Sequence, residues 1–176
     1  MAESDEFVAT GILLPLDGGQ GDALTDVWRH WDELRAGRTL PDRSDIKPEN
    51  LRPSLGKINL FDVMESPRRY QIRLHGSAHV AVQGRDMQGQ DTSAIRPPPY
   101  RELIEQHFAA TVDQGTPLRH RLTLRMGRHS GFYDRVILPF TIGATDVRVL
   151  MTATSHTPEI MAVLNSPAYR RLIAGV

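Results

Sequence analysis

The chain has 176 residues, with 21 lysines and arginines against 21 acidic residues, and it contains no cysteine. This length suits one domain that buries its core without a metal or a disulfide. The balanced charge argues against a dedicated nucleic-acid binder and against a polybasic membrane anchor. The absence of cysteine from the sequence excludes thiolate catalysis, cysteinyl metal sites and photochemistry that needs a thiol–flavin adduct.

The N-terminal stretch predicts neither a secretory signal nor a membrane span. It opens with the acidic MAESDEF, whereas a signal peptide begins basic and continues into an apolar run. No apolar run reaches the ~20 residues that cross a bilayer. We therefore expect a soluble, cytoplasmic protein in which residues 1–21 form a flexible leader, with a brief extended piece at 7–14.

From Asp22 the pattern becomes that of an amphipathic helix. Apolar residues recur at spacings of three and four and therefore share one face, namely Leu24, Val27, Trp28, Trp31 and Leu34. This stripe either covers the core of its own domain or contacts a second copy through aromatic anchors. Because two large rings make a surface wide enough for both, we expect a homodimer that uses the stripe.

The remaining elements follow in a simple order. Residues 22–57 comprise this helix and an ordered, proline-containing connector. Residues 58–155 contain two strands, a run of short helices, one longer helix at 100–115 and three further strands, and residues 156–176 form a C-terminal helix broken at Pro167. This order predicts an α+β fold with one five-stranded antiparallel sheet, helices on one face, and flanking helices at both ends.

Several motifs together resemble one family. They are R-x-L-P-x-R-S-D-I-x-P-E-x-L at 38–51, Leu55-Gly56 before INLFDV, Y-x-I-R-L-x-G at 70–76, G-R-D-x-x-G at 84–89, and the proline of ILPF at 139. In this combination and element order, the chain resembles small bacterial PAS proteins in which one PAS domain is nearly the whole chain. The resemblance covers residues 25 to 155.

The resemblance implies short helices that wrap a cavity over the sheet. In that arrangement Gly76 lets the chain leave its strand, Gly84 and Gly89 serve turns with positive φ, and Asp86 caps the following turn. Strand alternation within this topology predicts the pocket residues, which are Phe61, Tyr70, His79, Phe108, His120 and Met151.

The histidines offer a few chemical alternatives. No pair forms a metal motif, since His75 and His79 are four residues apart but straddle Gly76. Haem-binding PAS domains take their axial histidine from the longer helix, where His107 competes with Phe108 for the inward position. His120 is either a buried neutral imidazole or a polar contact for a small ligand. We expect no metal, no resident cofactor and a colourless protein.

No motif of an enzyme active site is present. The sequence lacks a P-loop, a dinucleotide-binding glycine motif and a nucleophile elbow. The resemblance therefore implies a non-enzymatic sensory or regulatory module that binds a small molecule, a partner protein or both, with its output in trans. The alternative is a ligand-free module for protein–protein contact or dimerisation, and a small enzyme that uses the cavity is a third option.

Overall fold

An antiparallel sheet forms the centre of the molecule. The computed structural model describes residues 6–175. Its six strands are β1 (Phe7–Leu14), β2 (Ile58–Met64), β3 (Arg69–Leu74), β4 (Leu118–Met126), β5 (His129–Phe140) and β6 (Val149–His156). They lie side by side in the order β1-β4-β5-β6-β2-β3, and every neighbouring pair is antiparallel.

Within residues 6–175, five α-helices and three 3-10 segments surround the sheet. The helices are α1 (Ala23–Arg35), α2 (Ser77–Gln83), α3 (Pro98–Gln114), α4 (Pro158–Leu164) and α5 (Pro167–Ala174). The 3-10 segments are Arg43–Asp45, Pro48–Lys57 and Thr92–Ala94. The predicted break at Pro167 is confirmed, since α4 ends just before Ser166, whose side chain caps α5. No helix within residues 6–175 is long and apolar enough to cross a membrane.

The sheet has one strand more than the five predicted. The expected strands correspond to β2 through β6, and β1 extends the sheet beyond β4. It pairs with β4 along its whole length, from Phe7 opposite Met126 to Leu14 opposite Arg119. The extended piece predicted at 7–14 is therefore confirmed, but its pairing within the sheet was not predicted, and residues 1–5 lie outside the described part. The pairing was missed because Ile12 and Leu13 are exposed apolar residues, so the segment lacks the regular alternation of a half-buried strand.

Helices lie against both faces of the sheet. In β5, Asp134, Val136 and Leu138 point towards α1, on what we call the outer face, and the alternate side chains point towards α3, on the inner face. On the outer face, the indole nitrogen of Trp31 donates a hydrogen bond to the main-chain oxygen of Pro139. The remaining α-helices lie on the inner face, as predicted for the helices of the core, whereas α1 is the predicted N-terminal flanking helix.

The outer face carries a buried ion-pair network. Arg119 of β4 is 5% exposed, and its Nη1 lies 2.7 Å from Asp22, the residue that caps the start of α1. Its Nη2 lies 3.4 Å from Asp134, whose other carboxylate oxygen accepts from Arg121 at 2.7 Å. Alternation along β4 places its arginines on this outer face, where α1 covers one end of the row and gives each buried charge a partner.

The stretch from Gly76 to Gly89 forms one side of the inner-face space. A Cβ atom on Gly76 would lie 2.5 Å from the main-chain oxygen of Ile58, so a residue with a side chain does not fit at this position. Gly84 and Gly89 have φ values of 72° and 85°, as predicted for these turns. The carboxylate of Asp86 accepts from the main-chain nitrogen of Gln88 at 2.9 Å, which confirms the predicted cap.

Candidate functional site

A cavity lies between the inner face of the sheet and helices α2 and α3. Its volume is about 60 Å³. Aromatic and aliphatic side chains form one part of its wall, namely Phe61, Ile72, Met87, Ile95, Ile104 and Phe108. Polar side chains from three neighbouring strands form another part, namely Asn59, Tyr133, Arg135, Thr152 and Thr154. The cavity is therefore apolar on one side and rich in hydrogen-bonding groups on the other.

The size of the cavity limits what it holds. A water molecule needs roughly 10–15 Å³ of such space, and pockets for drug-sized ligands measure about 300–1,000 Å³. A volume of about 60 Å³ accommodates a few waters or a ligand of a few heavy atoms. A flavin does not fit unless the walls move apart, and the sequence has no cysteine for a flavin adduct.

Arg135 is the one formally charged side chain among the described residues that line this cavity. It lies on β5, is 4% exposed, and stands opposite His120 of β4 and Thr154 of β6. Its Nη2 donates to Nδ1 of His107 at 2.9 Å, its guanidinium lies 5.3 Å from the ring centre of Phe108, and its Nε has no hydrogen-bond partner. Within residues 6–175, no acidic side chain forms an ion pair with it.

Two stacked imidazoles support this arginine. The rings of His107 and His120 are 3.7 Å apart and nearly parallel, with an angle of 10° between their planes. A guanidinium only donates, so Nδ1 of His107 accepts and the proton of this neutral ring lies on Nε2. Burial, and then the charge of Arg135, lowers the pKa of His107 to about 3 and that of His120 to about 4. Both rings therefore orient Arg135 without adding charge.

The position of His107 does not fit a haem. Its Nε2 faces β1, where a Cβ atom on Gly11 would lie only 2.8 Å away, and its Nδ1 is engaged by Arg135. His107 is also absent from the cavity wall. Neither ring nitrogen therefore has room for an iron atom in front of it.

The other titratable groups of the cavity are also neutral near pH 7. The hydroxyl oxygens of Tyr100 and Tyr133 are 2.5 Å apart, and burial raises the pKa of both. Nε2 of His79 lies 3.2 Å from the hydroxyl oxygen of Thr154, and burial lowers the pKa of this histidine to about 4. Within residues 6–175, no group of three histidine or acidic side chains is placed to hold a metal ion.

The predicted pocket residues fall in three different places. Phe61, His79 and Phe108 lie on the cavity wall. Tyr70 packs edge-on against Phe108 behind the wall, with ring centres 5.2 Å apart, and His120 lies behind Arg135. Met151 requires a correction, because its pairing with Leu60 and Leu138 places it on the outer face, one residue out of phase with the inward side chains.

The central residue of the site, Arg135, was missed at the sequence level. It lies in GFYDRVILPF, a strand buried on both faces, and such strands lose the alternation that separates inside from outside. A signal was nevertheless present, because an arginine within such an apolar central strand must be buried, and a buried arginine needs a partner.

The α1 stripe divides between core and surface. Leu24, Val27 and Trp31 are buried in the domain itself, whereas Trp28 and Leu34 pack against the core and stay partly exposed. A contact with a second copy therefore depends on Trp28 and Leu34.

Comparison with known proteins places the chain in a family. Residues 20–149 match a family described as PAS domain, and no curated protein matches the sequence. One similar solved structure is an RNA-binding light-oxygen-voltage receptor, with 13% identity over 99% of this chain and 43% of that chain, at a TM-score of 0.42. A second is a fungal LOV domain photoreceptor, with 14% identity over 81% of this chain and 99% of that chain, at 0.41.

This chain spans less than half the length of the first of these structures.

Proposed function

This chain belongs to the PAS domain family, and we propose that it is a sensory or regulatory module whose inner-face cavity binds a small molecule. One observation carries the proposal, namely that the cavity wall holds a charged side chain with a buried polar atom that has no hydrogen-bond partner in the protein. This atom is Nε of Arg135. A buried charged group without its full set of partners costs free energy, and a ligand in the cavity would supply the partner.

The sheet supplies a route from the cavity to the surface. Arg135 faces the cavity, and the preceding residue of β5, Asp134, faces the other way and binds Arg119. Arg119 in turn binds Asp22 at the start of α1. We propose that occupancy of the cavity alters the position of α1, and that a partner protein reads this change in trans.

A second candidate function is a ligand-free module for dimerisation. The partial exposure of Trp28 favours it, because an accessible indole on a helix is a typical interface anchor. In this case the cavity holds only water, and changes to its wall affect stability without affecting assembly.

Ligand screening separates the two functions. Thermal unfolding is measured against a panel of small neutral, anionic and cationic compounds, with native mass spectrometry of the freshly purified protein. A ligand at a hundred times its Kd adds about 2.7 kcal/mol, which raises the Tm by roughly 5–10 °C for a chain of this size. Thr152→Leu fills the cavity and should abolish the shift, while Thr10→Leu, at an exposed position of β1, should retain it. If no compound shifts the Tm and only the bare protein mass appears, the dimerisation module is the better description.

A further inference from the structure

We propose that the cavity binds a small carboxylate, of about two to four carbons, through the guanidinium of Arg135. This inference rests on the proposed function, because it names the chemical class of the ligand for the same site. It starts from a contrast between the two arginines that the sheet buries.

The two buried arginines have opposite surroundings. Arg119, on the outer face, is 5% exposed and has two carboxylates within ion-pair distance, from Asp22 and Asp134. Arg135, on the inner face, is 4% exposed, and within the described part of the chain its guanidinium pairs with His107 and with no acidic residue. An uncompensated buried cation is costly, so burial of an arginine normally comes with a paired anion. The missing negative charge at Arg135 is what a ligand would supply.

No neighbouring group supplies that charge. The nitrogen atom that contacts Arg135 belongs to His107, a neutral ring backed by His120. The hydroxyls of Tyr100 and Tyr133 stay protonated, since burial raises their pKa values. Of the residues 6–175 that line the cavity, none is an aspartate or a glutamate.

Further donors lie beside Arg135 along the sheet. The strand registers place Thr154 opposite Arg135, and Thr152 opposite Asn59. The side-chain oxygen of Asn59 accepts from the main-chain nitrogen of Gly76 at 2.8 Å, so its amide nitrogen remains available as a donor. One cation, two hydroxyls and one amide thus form a polar row on the inner face, which suits an oxyanion.

The rest of the wall selects among oxyanions. Phe61, Phe108 and Met87 present apolar surface inside the same cavity of about 60 Å³. An inorganic anion would leave this surface in contact with water, whereas a short alkyl tail covers it. The space admits only a few heavy atoms, since even a water needs about 10–15 Å³. A short-chain carboxylate combines the required charge, tail and size.

Calorimetric titration of the full chain with propionate and with its neutral isostere, propionamide, at constant ionic strength tests this assignment. Propionate should bind about 10- to 100-fold more tightly, the range for hydrogen bonds to a charged group. Nitrate is an inorganic anion without an alkyl tail, and it should bind more weakly than propionate. Arg135→Met should remove propionate binding by the same factor.

The variants also distinguish a ligand site from a structural arginine. Without ligand, Arg135→Met should keep or raise the Tm, because it removes an uncompensated charge, whereas Arg119→Met should lower the Tm and retain propionate binding. Equal binding of propionate and propionamide by the wild type, or full binding by Arg135→Met, would overturn the carboxylate site and leave a sensor of neutral molecules. Nitrate binding as tightly as propionate would overturn the choice of a carboxylate. If neither these compounds nor the wider panel bind, the sensory function itself fails.

Discussion

The indole nitrogen of Trp31 donates a hydrogen bond to the main-chain oxygen of Pro139 over 2.8 Å, between residues 108 positions apart in the sequence. Pro139 lies in β5, an interior strand, where proline is rare because it lacks the N–H group that the ladder uses. The bond ties α1 to the centre of the outer face. Trp31 is therefore a core residue, and its neighbour on the stripe, Trp28, has a different role.

Truncation of Trp31 should destabilise the fold. The side chain is 4% exposed, so Trp31→Ala leaves a large cavity and should lower the free energy of unfolding by about 3–5 kcal/mol. Trp31→Phe keeps most of the packing and loses the bond to Pro139, which should cost about 1 kcal/mol beyond the change in packing. Urea unfolding monitored by circular dichroism measures both. Similar midpoints for Trp31→Ala and the wild type would show that α1 is not part of the core.

Truncation of Trp28 should weaken self-association. Loss of an aromatic anchor at an interface costs about 2 kcal/mol or more, which corresponds to a roughly thirtyfold weaker dimer. Analytical ultracentrifugation of the wild type and of Trp28→Ala over the same concentration range measures the change. A matched control is Leu55→Ala, since Leu55 is 40% exposed and lies outside the stripe. A monomeric wild type would contradict the predicted homodimer.

Removal of Asp134 should break the outer-face network. Its carboxylate accepts from Arg121 at 2.7 Å and lies 3.4 Å from Arg119, with only 12% of its side chain exposed. Asp134→Ala should cost about 3 kcal/mol, because a buried charge loses one of its partners. Asp113 pairs with Arg68 at 2.6 Å, but 63% of its side chain is exposed, so Asp113→Ala should cost less than about 1 kcal/mol. Chemical denaturation that gives equal losses would contradict this assignment.

The side chain of Asn59 should stabilise the main chain at Gly76, at the beginning of the segment that forms one side of the cavity. Its side-chain oxygen accepts from the buried main-chain nitrogen of Gly76, where the chain leaves β3. Asn59→Ala leaves that donor unsatisfied and should cost about 1–3 kcal/mol. The control Asn50→Ala changes an exposed residue of a 3-10 segment and should change stability little. Hydrogen exchange at Gly76 should accelerate in the first variant only, and unchanged protection there would refute the role.

Stability should fall as the pH drops from 6.5 towards 4. The pKa values of His79, His107 and His120 are lowered from 6.5 to about 4, 3 and 4, chiefly by burial. The unfolded chain binds protons in this window and the folded chain does not, so unfolding at pH 5 should take up at least about two protons. Above pH 7 all three are neutral in both states, and the effect disappears.

Denaturation midpoints between pH 7.5 and 5 measure this linkage. His120→Gln should reduce the proton uptake by about one. A wild-type stability independent of pH over this range would show that these histidines are accessible to protons in the folded state.

The sequence predicted the structure best for elements that have one face exposed to solvent. The stripe of α1, the glycine turns at 84 and 89, and the order of the later strands were all predictable, because periodicity and positive φ leave clear local signals. The pairing of the edge strand β1 was not, since its contact with β4 depends on residues far along the chain. The sequence also did not show which residues of β6 face inwards. The first six residues of this strand are all buried, so alternation could not separate its two faces, and Met151 was predicted on the wrong face.

The chemistry of the site was harder to predict than its location. Three of the six predicted pocket residues line the cavity, and all three are explained by apolar or helical patterns. Arg135 acts in combination with His107 on α3 and His120 on β4, and no local pattern joins these positions. Its lack of an acidic partner emerges only when every neighbour in space is known.

The pairing of β1 with β4 also has a consequence for synthesis. At the usual rate of about 5–20 residues per second, β4 leaves the ribosome roughly 5–20 s after β1. During that interval FVATGILL is an apolar segment without its partner, because β2, β3, α2 and α3 are all made in between. The edge of the sheet is therefore completed late in translation, and the nascent chain exposes this apolar segment to chaperones until β4 has been synthesised.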